Sequence, residues 1–240
     1  LKNSINEDFV NTVETIFTSK GRVVLTGMGK SGLIARKIVA TLNSTGTAAI
    51  YLHPTDALHG DLGMVRSEDV VILISKSGET EEISNLLPML KRMNVKLISM
   101  CGNKESKLAR ECDLFLNIAV KEEACPYDLA PTASTTATLA LGDALAVSLL
   151  KKRNFTAKDF AFLHPGGSLG KRLSLKIKEV MITGDRIPRV NKDTSIKDVI
   201  IEITSKRLGT TCVLDENGKL AGIITDGDLR RLLEITLDIT

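Results

Sequence analysis

Two loops carry the residue types and spacing of anion chemistry. The first is Gly27-Met28-Gly29-Lys30-Ser31-Gly32, directly after the apolar run Val23–Thr26 and opening a helical pattern. Backbone N–H groups at a glycine-rich helix start, with a lysine and a serine beside them, suit a small anion such as the polar end of a sugar phosphate. The letters also fit G-x-G-x-x-G, the dinucleotide fingerprint. That site needs an acidic residue at the end of the second strand to hold a ribose hydroxyl. Here the strand ends Tyr51-Leu52-His53, with no carboxylate before Asp56, so an NAD-dependent enzyme is set aside. A Walker loop fails too, because Val24 stands where its first glycine belongs.

The second loop is Ser75-Lys76-Ser77-Gly78-Glu79-Thr80, followed by Glu81-Glu82. The hydroxyls of Ser75, Ser77 and Thr80 bracket a glycine ahead of a helix, so hydroxyls and amides can wrap a phosphate without a strongly basic pocket. Helix capping accounts for Ser77 or Thr80 taken singly. It does not account for a second such loop closing a strand next to the one that carries the glycine loop. Both should emerge at the carboxyl edge of a sheet, where ligands of open α/β sheets bind. Four further groups titrate near these loops. Glu82 begins the helix after the hydroxyl loop, where a carboxylate also simply favours the helix dipole. Glu123 follows the fifth strand beside Glu122, and a solvated loop charge is its plainer reading. His59 lies in Leu58-His59-Gly60-Asp61 and His164 in His164-Pro165-Gly166-Gly167, both loop mounts for a group that titrates near neutrality. His53 reads as structural, and Cys125 as packing, since no base neighbours it in sequence.

The elements that position these loops follow from hydrophobic periodicity. Short apolar runs at Val23–Thr26, Ala48–Leu52, Val70–Ile74, Val95–Met100 and Leu114–Val120 read as strands buried on both faces. Helical patterns at Ser31–Leu42, Glu81–Met93 and Ser106–Cys112 separate them, with a short helical turn at Pro54–His59. The alternation predicts an α/β fold: a five-stranded parallel sheet with helices on both faces. A small-residue helix from Thr132 to Lys152 follows, suited to the core or to a subunit contact. The expected division is 1–168 for this domain, 169–177 for a linker, and 178–240 for a small α+β unit. That unit reads as extended at Ile187–Val190, helical at Ser195–Lys206, a hairpin of Thr211–Leu214 and Leu220–Thr225 around Glu216-Asn217-Gly218, and helical at Asp228–Leu233.

Composition narrows the function classes. The chain has 240 residues, 43% apolar and 25% charged, with a net charge of +3 from 32 basic and 29 acidic residues interspersed along it. No concentrated basic face marks a nucleic-acid binder. With no tryptophan and two tyrosines, platforms for stacking single strands are missing as well. Uninterrupted apolar runs fall far short of the ~20 residues of a membrane span. The four cysteines, Cys101, Cys112, Cys125 and Cys212, show no C-x-x-C pair or zinc-ligand spacing. With no signal peptide in view they read as reduced thiols, and the expected location is cytoplasmic.

Taken together, Gly27–Gly32 and Ser75–Thr80 resemble the sugar isomerase (SIS) family. The runs Lys121-Glu-Glu-Ala-Cys-Pro126, Ala130-Pro-Thr132, Ser134-Thr-Thr-Ala137, Gly142-Asp-Ala-Leu-Ala146 and His164-Pro-Gly-Gly-Ser-Leu-Gly170 are similar to its arabinose-5-phosphate isomerase branch. Gly222-Ile-Ile-Thr-Asp-Gly-Asp-Leu-Arg230 resembles a CBS motif. Family members carry more helix ahead of the first strand than Leu1–Lys20 and usually two CBS motifs, which reads here as truncation at both ends.

The resemblance implies an aldose–ketose isomerase. It would interconvert D-ribulose 5-phosphate and D-arabinose 5-phosphate through an enediol(ate), as the first step of 3-deoxy-D-manno-octulosonate synthesis for lipopolysaccharide or capsule. Such chemistry needs a base, an acid near the carbonyl oxygen and a grip on the phosphate, and it requires no cofactor. Catalytic roles pass to Lys30, Glu82, Glu123 and His164, with Glu123 assigned as the base, Glu82 the other carboxylate that could take the proton, and His164 assisting ring opening or oxygen protonation. Substrate binding passes to Gly29, Ser31, His59, Ser75, Ser77 and Thr80. No metal is required, though His59 and His164 form a candidate inhibitory metal site. Thr225 and Asp228 are the CBS candidates for an adenosine nucleotide. The family implies a homotetramer, with no nucleic acid or membrane partner. A non-catalytic sugar-phosphate sensor on the same sheet is the alternative.

Overall fold

Five runs rich in Val, Ile and Leu become parallel strands because both of their faces are covered, which removes the alternation of a half-exposed strand. The protein is represented by a computed structural model that describes residues 4–167, 170 and 176–235. It forms two units, Leu1–Ser174 and Leu175–Thr240, and most of the expected linker, 169–177, lies outside the described residues. The first unit begins with α1 (Glu7–Thr18), β1 (Val23–Gly27), α2 (Gly29–Ser44), β2 (Ala49–Leu52) and α3 (Pro54–Leu58). A 3₁₀ turn at Asp61–Met64 leads to β3 (Val70–Ser75), α4 (Glu81–Ser84) and α5 (Leu87–Arg92). Then come β4 (Lys96–Cys101), α6 (Lys107–Glu111), β5 (Leu114–Asn117), α7 (Ala133–Lys152) and α8 (Ala157–Leu163).

The sheet order is β2-β1-β3-β4-β5, all parallel. Successive residues of one strand serve opposite faces. Val23 and Leu25 join α1, α2 and α7 through Phe9, Ile16, Ile38, Leu42, Leu141 and Leu145. Val24 joins the other layer, with Ala57, Ile83, Leu87, Leu90 and Leu108 from α3 to α6. In register, Gly27 lies beside Ile74 and Ser75 beside Cys101, so the loops after β1, β3 and β4 leave the sheet at one edge.

Three expectations needed correction. The single helix anticipated over Glu81–Met93 is two short helices: Pro88 has no N–H to give the Ser84 carbonyl, and Leu86 bonds back to Ile83 instead. The fifth strand stops at Asn117, not Val120, because the Asn117 side chain turns forward to accept the Ala119 amide. The last helix of the small unit starts at Asp226, two residues earlier than expected.

Helix α7 is long and apolar enough to cross a bilayer by length and composition alone. Here Leu141, Leu145, Ala146 and Leu149 sit in the core beneath the sheet, so it is a buried helix of the α/β layer. Gly142 lets it approach α2: a Cβ there would lie 2.3 Å from Ile38 Cδ1.

The second unit holds α9 (Ile177–Val180), a 3₁₀ turn, β6 (Arg189–Asn191), α10 (Ile196–Lys206), β7 (Thr210–Leu214), β8 (Leu220–Thr225) and α11 (Asp226–Ile235). Strand β7 pairs β6 in parallel and β8 as a hairpin. Its core is small, made of Val190, Val199 and Ile203 with Val213, Ile224 and Leu229.

The α2–α7 approach gives a direct test. Gly142→Leu forces a side chain into filled space and is expected to cost about 1–3 kcal/mol. Urea unfolding should show a lowered midpoint, and an unchanged midpoint would mean the two helices are not packed as described.

Candidate functional site

The loop after β3 is folded by its own hydroxyls. Ser75 Oγ and Thr80 Oγ1 are 2.7 Å apart, Ser75 Oγ accepts the Gly78 amide at 3.0 Å, and Ser77 Oγ accepts the Glu79 amide at 3.2 Å. Thr80 therefore does not cap α4, whose first-turn amides receive no side-chain cap. Gly78 is required twice over. Its φ is +74°, and a Cβ would fall 2.1 Å from Ser106 Oγ. The Gly78 carbonyl and the Glu79 carboxylate accept the amides of Leu108 and Lys107, which moors the loop to α6.

Glu123 is the buried charge of this edge, 4% exposed. Its Oε2 accepts from the Thr132 amide at 2.8 Å, the Thr132 hydroxyl at 3.3 Å and the Ser134 amide at 3.0 Å. Its Oε1 accepts from Ser134 Oγ at 2.5 Å and from Lys76 Nζ at 2.7 Å. The loop closes on itself as well, with the Glu123 amide on Asp128 and the Ala124 amide on Thr132. Burial alone would push the Glu123 carboxyl up; the Lys76 ammonium, the Ser134 hydroxyl and the Thr132 and Ser134 amides outweigh it and hold it well below the usual carboxylate range. Lys76 is raised in turn, first by its bond to Glu123.

Sequence reasoning passed over Lys76, although its place between Ser75 and Ser77 was a usable signal. The contact it makes brings Glu123 to the hydroxyl loop. Lys76 and Ser77 also bound a cleft of about 380 Å³ at the ends of β3, β4 and β5, with Gly102, Asn103 and Ile118–Val120. A slightly larger cleft, about 410 Å³, lies at the opposite edge beside Lys96 and Asp113 and touches none of the candidate residues.

The glycine loop sits next to the hydroxyl loop across the β1–β3 pair. Gly29 has a φ of +55° and, with Lys30, is exposed at the head of α2, ahead of half-buried Ser31. The loop is braced from behind by Tyr51, whose hydroxyl donates to the Gly27 carbonyl at 2.8 Å while Arg36 lies over its ring. Half-buried Glu82 opens α4, which packs on α3 (Pro54–Leu58), and exposed His59 caps that helix. These residues therefore share the β2-β1-β3 side of the edge, and Glu123 with Lys76 the β3-β4-β5 side.

His164 ends α8. Its Nδ1 lies 2.7 Å from the Phe160 carbonyl and its ring stacks on Phe160 at 3.9 Å. A carbonyl only accepts, so Nδ1 is the donor in this contact. The structure records no contact between His164 and the other candidates. Among the described residues no group of three or more His, Cys, Asp or Glu side chains stands at metal-ligating distance. Thr225 and Asp228 bond reciprocally at 2.7–3.3 Å as a helix cap, and Asp228, also bonded to Arg231, is lowered to about 2, chiefly by the Thr225 hydroxyl and amide. All four cysteines are free thiols.

With the geometry in view, comparison with known proteins becomes specific. Residues 16–148 match the SIS domain family and residues 177–235 the CBS domain family. Arabinose 5-phosphate isomerase KdsD of Pseudomonas aeruginosa is 55% identical over 235 residues, covering 98% of this chain and 72% of that protein. The chain belongs to the arabinose 5-phosphate isomerase family. The family's member from Escherichia coli K12, also named KdsD, is 54% identical over the same spans. A solved structure, c3406 of E. coli CFT073 in complex with arabinose 5-phosphate, superposes with a TM-score of 0.66 at 48% identity, covering 68% of this chain and 89% of that one.

Burial of Glu123 carries a pH consequence. Because its folded-state carboxyl lies below its ordinary 4.5, its ionised form stabilises the fold above that pH, and the gain is lost as pH falls below it. Urea unfolding should show the advantage of wild type over Glu123→Gln level between about pH 6 and pH 5 and shrinking from there down to about pH 3. A gap that stays constant would show that Glu123 does not titrate as described.

Proposed function

We propose that the carboxyl edge of the first unit interconverts D-ribulose 5-phosphate and D-arabinose 5-phosphate through an enediolate. The observation that carries this reading is the Lys76–Glu123 contact, which puts a charged carboxylate beside a hydroxyl loop built to hold a phosphate. Membership in the isomerase family supplies the reaction type, and relatives 54–55% identical to this chain over the 235 matched residues carry the isomerase name. The sensor alternative has no comparable support.

In the mechanism, Ser75, Ser77 and Thr80 with the loop amides grip the phosphate. Glu123 takes the proton from the reacting carbon and returns it to the neighbouring one. Lys30, with Gly29 and Ser31, steadies negative charge as it develops on the sugar oxygens. His164 uses Nε2 to assist ring opening and oxygen protonation, and its Nδ1 is already committed to Phe160. Glu82 and His59 complete the sugar side of the site. The reaction is an internal redox exchange between adjacent carbons, so the electrons balance within the substrate. Its product enters 3-deoxy-D-manno-octulosonate synthesis.

The protein works as a cytoplasmic homotetramer in this reading. Exposed Tyr127, Leu129, Phe162 and Leu163 flank Glu123 and His164 in sequence and support an assembly that covers them. Thr225 and Asp228 cap a helix in the free protein and remain the candidates for an adenosine nucleotide in the CBS unit.

Proton NMR of D-arabinose 5-phosphate in D₂O tests the reading. The expected result is ribulose 5-phosphate, with solvent deuterium entering at C1 or C2. Glu123→Gln and His164→Ala should each slow turnover by about 10²–10⁴-fold. A sugar that binds yet stays unconverted and undeuterated with wild type would refute catalysis.

A further inference from the structure

Position and basicity conflict at Glu123. The carboxylate lies where a base is needed, but five donors stabilise its charge, and proton-transfer rates fall as a base weakens. Four of those donors belong to Thr132 and Ser134 at the head of α7. They are fixed by the fold and cannot leave. Lys76 is different in kind. Its ammonium ends a flexible four-carbon stem, its side chain is 47% exposed, and it springs from the hydroxyl loop itself. It also bounds the adjoining cleft with Ser77. Removing it from Glu123 would leave the carboxylate hydrogen-bonded through both oxygens, with one lone pair of Oε1 open.

A phosphate dianion entering that loop offers Lys76 more charge and more acceptor oxygens than a carboxylate does. We propose that Lys76 is a positioning residue that changes partners, pairing with Glu123 in the free protein and with the substrate phosphate in the complex, so that Oε1 is freed to take the proton only when substrate is bound. The proton lifted from one sugar carbon rests on Oε1 and returns to the next carbon, and nothing is consumed. The device rests on the phosphate and base assignments made above and adds to them a trigger that couples the two. The charged groups facing Glu123 are Lys76 and, through the Glu123 amide, Asp128; Glu79 of the hydroxyl loop is engaged by the Lys107 amide.

The test compares pH profiles of kcat and kcat/KM for D-arabinose 5-phosphate in the whole chain carrying Lys76→Met, Lys76→Arg or Ser77→Ala. The kcat/KM profile reports the free protein and kcat the complex. In wild type the acidic limb of kcat/KM should therefore lie about one pH unit or more below that of kcat. Lys76→Met should merge the two limbs and raise KM about tenfold, with kcat changed less than about threefold. Lys76→Arg should keep the limbs apart, and Lys76→Gln replaces the Met variant if thermal unfolding shows that variant misfolded. Limbs that stay separate in Lys76→Met, or an unchanged KM, overturn the partner exchange. Ser77→Ala with inorganic phosphate as competitor separates the two failures. If that variant weakens phosphate inhibition while Lys76→Met does not, the loop still binds phosphate and the exchange alone is wrong. If neither variant changes inhibition, the phosphate assignment falls with it.

Discussion

A buried carboxylate on an irregular loop must be paired, and the way Glu123 is paired organises this edge of the molecule. An ion taken out of water without partners would cost several kcal/mol. Its partners come from two directions: the amides and hydroxyls at the head of α7, and the ammonium of Lys76 after β3. The segment between β5 and α7 is thereby tied to the core helix on one side and to the hydroxyl loop on the other. A chain stretch without regular structure becomes a fixed part of the site.

The parallel sheet makes this arrangement possible. Because all five strands run parallel, every βα loop emerges at the same edge, so loops far apart in sequence become neighbours. Two separate cores, one under α1, α2 and α7 and the other under α3 to α6, hold the strands from both sides. The glycine and hydroxyl loops are then adjacent because β1 and β3 pair directly. The Ser75–Thr80 contact is not a helix cap, since α4 begins without a side-chain cap while those two hydroxyls hold each other.

The sheet was legible in the sequence because burial on both faces leaves continuous Val, Ile and Leu runs. What escaped notice depends on local competition or on contacts distant in sequence. Pro88 breaks an otherwise helical pattern from within, and the Asn117 side chain ends a strand whose apolar residues continue to Val120. Helix α1 carried readable signals in Asn6 as its cap and in Phe9, Val13 and Ile16 at helical spacing, as α8 did in its Thr156–Asp159 capping box. At the site, residue types singled out Ser75, Ser77 and Thr80, whereas Glu123 read by type alone as a solvated loop charge and gained its role only from the family resemblance. The Lys76–Glu123 pair spans 47 positions, and no periodicity reports a side-chain contact across that distance.

The central claim is that the hydroxyl loop and Glu123 are parts of one site. A crystal structure of the Glu123→Gln protein with D-arabinose 5-phosphate tests it most directly. The account predicts the phosphate within hydrogen-bond reach of Ser75, Ser77 and Thr80, with C1 or C2 about 3–3.5 Å from the residue 123 side chain. A phosphate seated on Gly29 and Lys30 instead, or a sugar whose reacting carbons lie away from residue 123, would contradict it.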